Sequence, residues 1–241
     1  IEVVMHKDTK MYVPHMIFGN LRSSSNYNDD EDRNVIGTNG VGSGLANVFS
    51  KKFIIESADT KNKFRRTWKD NMRTLCDDLT VEKCSDHYTC TKFWLDFKRF
   101  DTKAKTFTMD FVDIIEKRCI DAAAANLGLK VIFEYKDKEN GRKSQWKFTK
   151  FDQYIDLYNG YVDIAEGIKF ADDMKQVWVY PSGSINIGFV NGAECSNGTH
   201  IRAVRQEINS SVAEFLSKKH KIDIAPRGVD NKYSMFICID V

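Results

Sequence analysis

The spacing of apolar residues along the chain predicts a mixture of helices and strands. Apolar side chains three and four residues apart predict helices over 11–21, 45–49, 108–127, 151–158 and 199–219. Alternation of apolar and polar positions predicts strands over 53–57, 64–68, 91–97, 131–135, 144–148, 177–180, 185–190 and 233–239. Because short turns rather than regular crossover helices link these strands, the pattern indicates an α+β fold and not a doubly wound parallel sheet.

The helix over 108–127 has the clearest pattern of all. Thr108 is suited to cap its first turn, and Gly128 is suited to end it. Its apolar stripe consists of Phe111, Ile114, Ile115, Cys119 and Ala122. We expect this stripe to face the core.

Two domains are expected, with a boundary at the turn Asn159-Gly160. The first would cover residues 1–160 and the second residues 161–241. The chain starts without Met on an apolar run and ends on another, so we expect it to be a section of a longer protein.

Composition adds limits on the partners. With 36 Lys and Arg against 34 Asp and Glu, the net charge is +2, so any DNA contact must be local. No apolar stretch approaches the roughly 18 residues that a membrane span needs, and no membrane partner is expected. Cys84, His87 and Cys90 make only a weak zinc candidate, because no fourth ligand stands nearby.

Candidate chemistry is concentrated in the glycine-rich run Gly37-Thr38-Asn39-Gly40-Val41-Gly42-Ser43-Gly44, which leads into a predicted helix. Glycines let the backbone turn tightly and bring its N–H groups against an anion, and a helix N-terminus adds positive potential. The run lacks the Lys-Ser/Thr of a P-loop, and its spacing is not that of the dinucleotide-binding fingerprint. The upstream Ser24-Ser25-Asn26 could hydrogen-bond ribose or phosphate oxygens. A solvated turn is the alternative reading of both segments.

Several short motifs then stand in the order and spacing of one family. They are Val3-Val4-Met5-His6-Lys7, Met11-Tyr12-Val13-Pro14, Ile17-Phe18-Gly19, Ser24-Ser25-Asn26-Tyr27, the glycine run and Trp68-Lys69-Asp70-Asn71-Met72. Phe189-Val190-Asn191-Gly192 and Gly198-Thr199-His200 follow later in the chain. The chain resembles the ATPase region of eukaryotic-type and viral-type type IIA DNA topoisomerases, which belong to the GHKL ATPases.

The resemblance implies a fold, a site and partners. The fold would be part of a GHKL (Bergerat-type) two-layer sandwich followed by a transducer domain of ribosomal-protein-S5-like α+β fold. The implied ATP-binding residues are Ser24, Ser25, Asn26, Gly37, Thr38, Asn39, Gly40, Val41, Gly42, Ser43 and Gly44. Lys218 and Lys219 match a basic cluster that touches DNA in the family, although a solvated helix end is an equal alternative.

The family also implies ATP with Mg2+, a homodimeric ATPase gate and double-stranded DNA as partner. Its general base and its Mg2+ ligand would precede Ile1, and its switch lysine would follow Val241, so no catalytic or metal-binding residue is assigned here. Localisation would be nuclear for a cellular protein, or the infected cell for a viral one.

Departures from the family pattern keep other functions open. Thr38, Val41 and Gly44 stand where the family commonly has Arg, Tyr and Lys, so a lysine contact to the terminal phosphate is lost. The alternatives are another GHKL nucleotide-gated clamp, either MutL-like or chaperone-like, and a non-catalytic remnant of the fold.

Overall fold

An antiparallel hairpin organises the first part of the chain. In the computed structural model, β1 (Ser50–Asp59) pairs with β2 (Asn62–Lys69), with Phe53 opposite Trp68. Asp59 shapes the turn, because its Oδ1 accepts hydrogen bonds from the backbone N–H groups of Lys61 at 3.0 Å and Asn62 at 2.8 Å. The backbone N–H groups of Asn62, Val3 and Lys61 hold the pKa of Asp59 down at about 2. The predicted hairpin is confirmed, with longer strands.

Three further strands complete this sheet. β5 (His87–Leu95) pairs with β1, while β3 (Thr74–Leu75) and β4 (Thr80–Lys83) pair with β2. The strand predicted over 91–97 therefore ends at Leu95, and a 3-10 turn follows at Phe97–Arg99. The structure describes residues 1–24, 37, 39–100, 103–172, 175–181, 183–230 and 232–239.

Two short helices cover one face of the sheet. They are α1 (Val13–Gly19) and α2 (Gly42–Val48). Phe18 of α1 lies over Phe53, with 6.0 Å between ring centroids, and Tyr12 lies 5.6 Å from Phe64. Val3, Phe53 and Phe64 are buried in this core, together with Trp68.

The later part of the chain starts with α3 (Met109–Ala125), which Thr108 caps as predicted by accepting a hydrogen bond from the N–H of Phe111 at 3.3 Å. The predicted hairpin follows as β6 (Val131–Lys136) and β7 (Gly141–Trp146). The chain continues through α4 (Asp152–Ile155) and the 3-10 turns Asp156–Tyr158 and Ile164–Glu166.

A second five-stranded sheet ends the fold, with strand order β11-β10-β12-β9-β8. Its strands are β8 (Ile168–Ala171), β9 (Lys175–Tyr180), β10 (Asn186–Val190), β11 (Ala193–Glu194) and β12 (Ser234–Ile239). The long helix α5 (Thr199–His220) and the 3-10 turn Pro226–Gly228 connect β11 to β12. Among the described residues, no helix is long and apolar enough to cross a membrane.

The expectation that neighbouring strands are hairpin-linked throughout is wrong for this sheet. β12 lies between β9 and β10, antiparallel to β9 and parallel to β10. β10, α5 and β12 therefore form a crossover unit, because parallel neighbours cannot be joined by a tight turn. The apolar strand β12 is buried on both faces, because Phe236 packs in one hydrophobic core and Met235 and Ile237 pack in another.

The apolar stripe of α3 also differs from its expected burial. Phe111 is 40% exposed and Ile114 57% exposed, whereas Val112, Ala123 and Ala124 are buried. The small side chains allow the C-terminal half of α3 to approach the core closely. That core also contains Phe151 and Tyr154, next to the second sheet.

By compactness the chain divides into Ile1–Phe107 and Thr108–Val241. Residues on both sides of Gly160 share one hydrophobic core in the second unit, with Tyr154 and Val162 as members. The domain boundary at Gly160 stays a prediction.

Candidate functional site

The glycine run and the upstream serine segment meet through their main chains. The N–H of Arg22 donates to the carbonyl oxygen of Gly40 at 3.1 Å. Gly40 has φ +56°, and a Cβ placed on it would lie 2.5 Å from the backbone nitrogen of Ser24. Only glycine allows this approach, because any Cβ would overlap main-chain atoms that cannot turn away. Two segments proposed from sequence to share a site are thus adjacent.

The run does not stay a loop to its end. α2 begins at Gly42, three residues before the predicted start, and the N–H of Leu45 donates to the Val41 carbonyl at 2.8 Å. Among the described residues, no side chain caps this N-terminus. A Cβ on Gly42 would lie more than 4 Å from every described atom. The first amides of α2 therefore have no described group packed against them, and uncapped amides at a helix start can accept an anion.

Residues further along α2 fasten it to α1. The Ser43 hydroxyl donates to the Ile17 carbonyl at 2.9 Å, and the Asn47 amide donates to the Phe18 carbonyl at 3.0 Å. A Cβ on Gly44 would lie 2.5 Å from Leu21 Cδ2. The side chain of Ser43 is thus engaged in the fold, and its backbone N–H is what it can offer a ligand. Asn47 is fully buried, and its place on a predicted helix was the available sequence signal for it.

The other predicted site residues differ in solvent exposure. Gly37 and Asn39 are exposed, while Ser24 and Val41 are half-buried. Ser25, Asn26 and Thr38 lie outside the described residues.

A buried polar cluster in the second unit was not predicted. Asp121 of α3 is 4% exposed and accepts hydrogen bonds from Lys117 and, at 2.9 Å, from the Tyr154 hydroxyl. Tyr158 lies 2.9 Å from the same hydroxyl. Burial and these neighbours raise the pKa of Tyr154, so it stays a neutral donor. The spacing of Lys117 and Asp121, four residues apart on a helix, was the available sequence signal.

A second part of this cluster joins α3 to β11. Arg118 forms an ion pair with Glu194, whose carboxylate also accepts hydrogen bonds from the Ser196 hydroxyl and, at 3.0 Å, from the Ser196 N–H. The Ser196 hydroxyl and Arg118 hold the pKa of Glu194 down at about 2. A cleft of about 470 Å³ lies along Lys117, Arg118, Asp121 and Glu194.

No group of three or more His, Cys, Asp or Glu side chains in the described ranges could hold a metal ion. Cys84 follows β4, and His87 and Cys90 lie on β5. Magnesium and zinc ligands are therefore not assigned within the described part of the chain.

Comparison with known proteins gives a consistent result. No family model matches the chain. DNA topoisomerase 2 of Bombyx mori is 35% identical over 98% of the chain, and that of Drosophila melanogaster is 36% identical over the same share. The ATPase region of Saccharomyces cerevisiae topoisomerase II superposes with a TM-score of 0.84 at 27% identity, over 100% of this chain and 61% of that one. Over its whole length, the chain is similar to the ATPase region of type II DNA topoisomerases.

The topoisomerase II homology confirms the predicted fold class. The ATPase and transducer domains of the Balamuthia mandrillaris enzyme superpose over the whole chain with a TM-score of 0.82 at 30% identity, covering 61% of that structure. The mixed α+β architecture therefore matches that of the GHKL ATPase and transducer domains of topoisomerase II. The chain spans only 16% of the length of the Bombyx mori and 17% of the Drosophila melanogaster relative.

The predicted DNA-contact lysines, Lys218 and Lys219, lie in the last turn of α5, and both are exposed. Lys218 pairs with Glu214 one turn earlier, and Lys219 Nζ lies 5.0 Å from the centroid of the Phe215 ring. Cations at a helix C-terminus complement its dipole, so the structure is compatible with either role. DNA binding by these lysines stays a prediction.

Proposed function

We propose that this chain is the ATP-binding part of a type II DNA topoisomerase. Such an enzyme passes one DNA duplex through a transient double-strand break in another. The observation that carries the proposal is the close approach of Gly40 to the main chain of Arg22 and Ser24, in a chain similar to topoisomerase II ATPase regions. It brings together the two segments that the resemblance assigns to nucleotide binding.

Backbone groups would hold the triphosphate. The uncapped amides at the start of α2 and the exposed Gly42 leave room for phosphate oxygens, and the glycine run contains no charged side chain. Gly44, which stands in place of the family lysine, packs against Leu21 instead. The helix N-terminus and successive N–H groups would therefore supply the positive potential. ATP would contribute the phosphoanhydride bond whose hydrolysis drives the enzyme.

The proposal extends to partners and location. Mg2+ would accompany ATP, with no ligand assigned to this chain. Two copies would close an ATPase gate around duplex DNA. The protein would act in the nucleus of a cell or, if it is encoded by a virus, in the infected cell.

Gly42→Val in the intact protein tests the nucleotide site. The added side chain enters the space proposed for phosphate, and its Cβ lies more than 4 Å from every described atom. We expect ATP affinity, measured with a fluorescent ATP analogue, to fall at least tenfold, and ATP-dependent relaxation of supercoiled DNA to be lost, while Tm changes little. Leu45→Val on the same helix is the matched control, because Leu45 is exposed. Unchanged ATP affinity in Gly42→Val would contradict the proposal.

A further inference from the structure

The two faces of the first sheet differ in what covers them. The helices α1 and α2 pack on the face that carries Phe53, Phe64 and Trp68. Since side chains alternate along a strand, Lys52 and Glu56 of β1 point to the opposite face. Neither α1 nor α2 covers that opposite face.

This opposite face, which we name the lysine face, carries an unusual charge. The cross-strand register shows which side chains of β1, β2 and β5 share this face. The charged ones are Lys52, Glu56, Lys63, Arg65, Lys69 and Lys92. Asp78 and Glu82 are the nearby acids outside these three strands. The face therefore has an excess of two positive charges, as large as that of the entire chain.

Only part of this charge is neutralised. Glu56 accepts contacts from Arg65 at 3.5 Å and from Lys92 at 3.4 Å. No ion pair joins Lys52, Lys63 or Lys69 to a carboxylate within the described ranges. A hydrogen bond from Lys63 to Tyr88 raises the pKa of that lysine.

The arrangement does not serve the stability of the sheet. Lys52 and Lys69 are direct cross-strand partners, and like charges in that position are unfavourable. Lys52 Nζ lies 5.0 Å from the centroid of Trp94, whose side chain is 50% exposed. Lys52 covers part of the Trp94 ring, so less of the ring surface is open to stacking by a base. The positive charge of Lys52 stays available to an anion.

We infer that the lysine face is a docking surface for the phosphate backbone of double-stranded DNA. The inference rests on the proposed function for the choice of duplex DNA as the polyanion. Lys52 lies directly opposite Lys69, about 5 Å away across the strands, and Lys92 lies opposite Ile54, two residues further along β1. These three cations therefore form one cluster that can meet neighbouring phosphates of a polyanion. Lys218 and Lys219 would be a separate contact in the other unit.

The test replaces Lys52, Lys69 and Lys92 with Gln in the intact protein. Binding of a labelled duplex is measured over a series of salt concentrations. We expect affinity at low salt to fall at least tenfold, and the slope of log K against log salt to flatten by about 2 to 3, close to one per lost phosphate contact. Tm should change little, because the variant removes the like-charge pair of Lys52 and Lys69 together with the exposed contact between Lys92 and Glu56.

The matched control replaces Lys7, Lys61 and Lys83 with Gln. These lysines are exposed in the same unit, and the change in net charge is equal. An equal salt slope in the two triple variants would overturn the inference. Loss of single-stranded binding with intact duplex binding would overturn it as well, because stacking would then be the function of the face. ATP affinity is measured on the same samples. If the unaltered protein does not bind ATP, the proposed function is contradicted, whereas the salt slopes test the docking surface separately.

Discussion

The candidate nucleotide site and the polar cluster of the second unit are built from different parts of the chain. At the nucleotide site the contacts are made by main-chain atoms, and Gly40 fits because it has no side chain. In the polar cluster the contacts are made by long side chains, with Asp121, Lys117 and Tyr154 joined by hydrogen bonds. The first arrangement depends on backbone conformation and empty space, whereas the second depends on charge and proton occupancy. Substitutions, salt and pH should therefore separate the two.

The largest effect is expected at Gly40, where the comparison is easiest to break. Gly40→Ala places a Cβ 2.5 Å from the Ser24 nitrogen at φ +56°. A left-handed conformation alone costs about 1–2 kcal/mol for a residue with a Cβ, and the overlap adds to it. We expect unfolding free energy to fall by more than about 2 kcal/mol and ATP affinity to fall at least tenfold, as measured by denaturant titration and nucleotide binding.

Gly128→Ala is the control for this prediction. Gly128 also has positive φ, at +87°, but a Cβ there would meet no atom of the described residues within 4 Å. It should cost only the conformational part and leave ATP affinity unchanged. Equal stability losses in the two variants would show that the contact with Ser24 contributes nothing.

The next effect concerns the side-chain region. Asp121→Ala leaves Lys117 and the buried Tyr154 hydroxyl without their shared acceptor, which costs about 1–3 kcal/mol. Asp113→Ala is the matched control, because the Asp113 side chain is 58% exposed on the same helix, and its ion pair with Arg142 should contribute less than about 1 kcal/mol. Thermal unfolding measures both variants. If folded Asp121→Ala loses ATP affinity, the polar cluster contributes to nucleotide binding, and the two regions are not independent.

A smaller effect is expected for the surface charge of the second unit. Replacing Lys218 and Lys219 with Gln removes two cations at the end of α5 and should flatten the salt dependence of duplex binding by about 2. Lys130 and Lys138, exposed in the same unit, give the control pair. Equal slopes for both pairs would leave Lys218 and Lys219 as a solvated helix end.

Local patterns were the part of the fold that the sequence could predict. The hairpin of β1 and β2, the cap of α3 at Thr108 and the long helix α5 all depend on residues close together in the chain. Glycine spacing similarly located the turn at Gly40, because a positive φ is a local requirement.

Long-range choices could not be predicted in this way. Nothing local to β12 specifies that it pairs with both β9 and β10, since an apolar strand fits several neighbours. The stripe of Ile114 was expected to be buried because periodicity gives a face but not its partner. The roles of Asn47 and Asp121 depend on acceptors and donors 29 and 33 residues away, respectively, which no spacing rule connects.

The smallest effect sharpens the comparison through pH. Ser196 and Arg118 hold the pKa of Glu194 at about 2, below its usual value of 4.5. Because the folded pKa is the lower one, the stabilisation is present above about pH 4.5 and is lost as pH falls toward 2. The Arg118 side chain is 61% exposed, so solvent screening limits the contribution of its ion pair with Glu194 to the free energy of unfolding to below about 1 kcal/mol. The free energy of unfolding, measured by denaturant titration, should therefore depend less on acid pH in Glu194→Gln. Glu134→Gln is the control, because Glu134 is in an exposed ion pair with Lys143, and its acid dependence should be unchanged. Gly40→Ala should keep the full pH dependence, because its defect involves no titrating group; a changed pH profile in that variant would mean that the two regions are coupled.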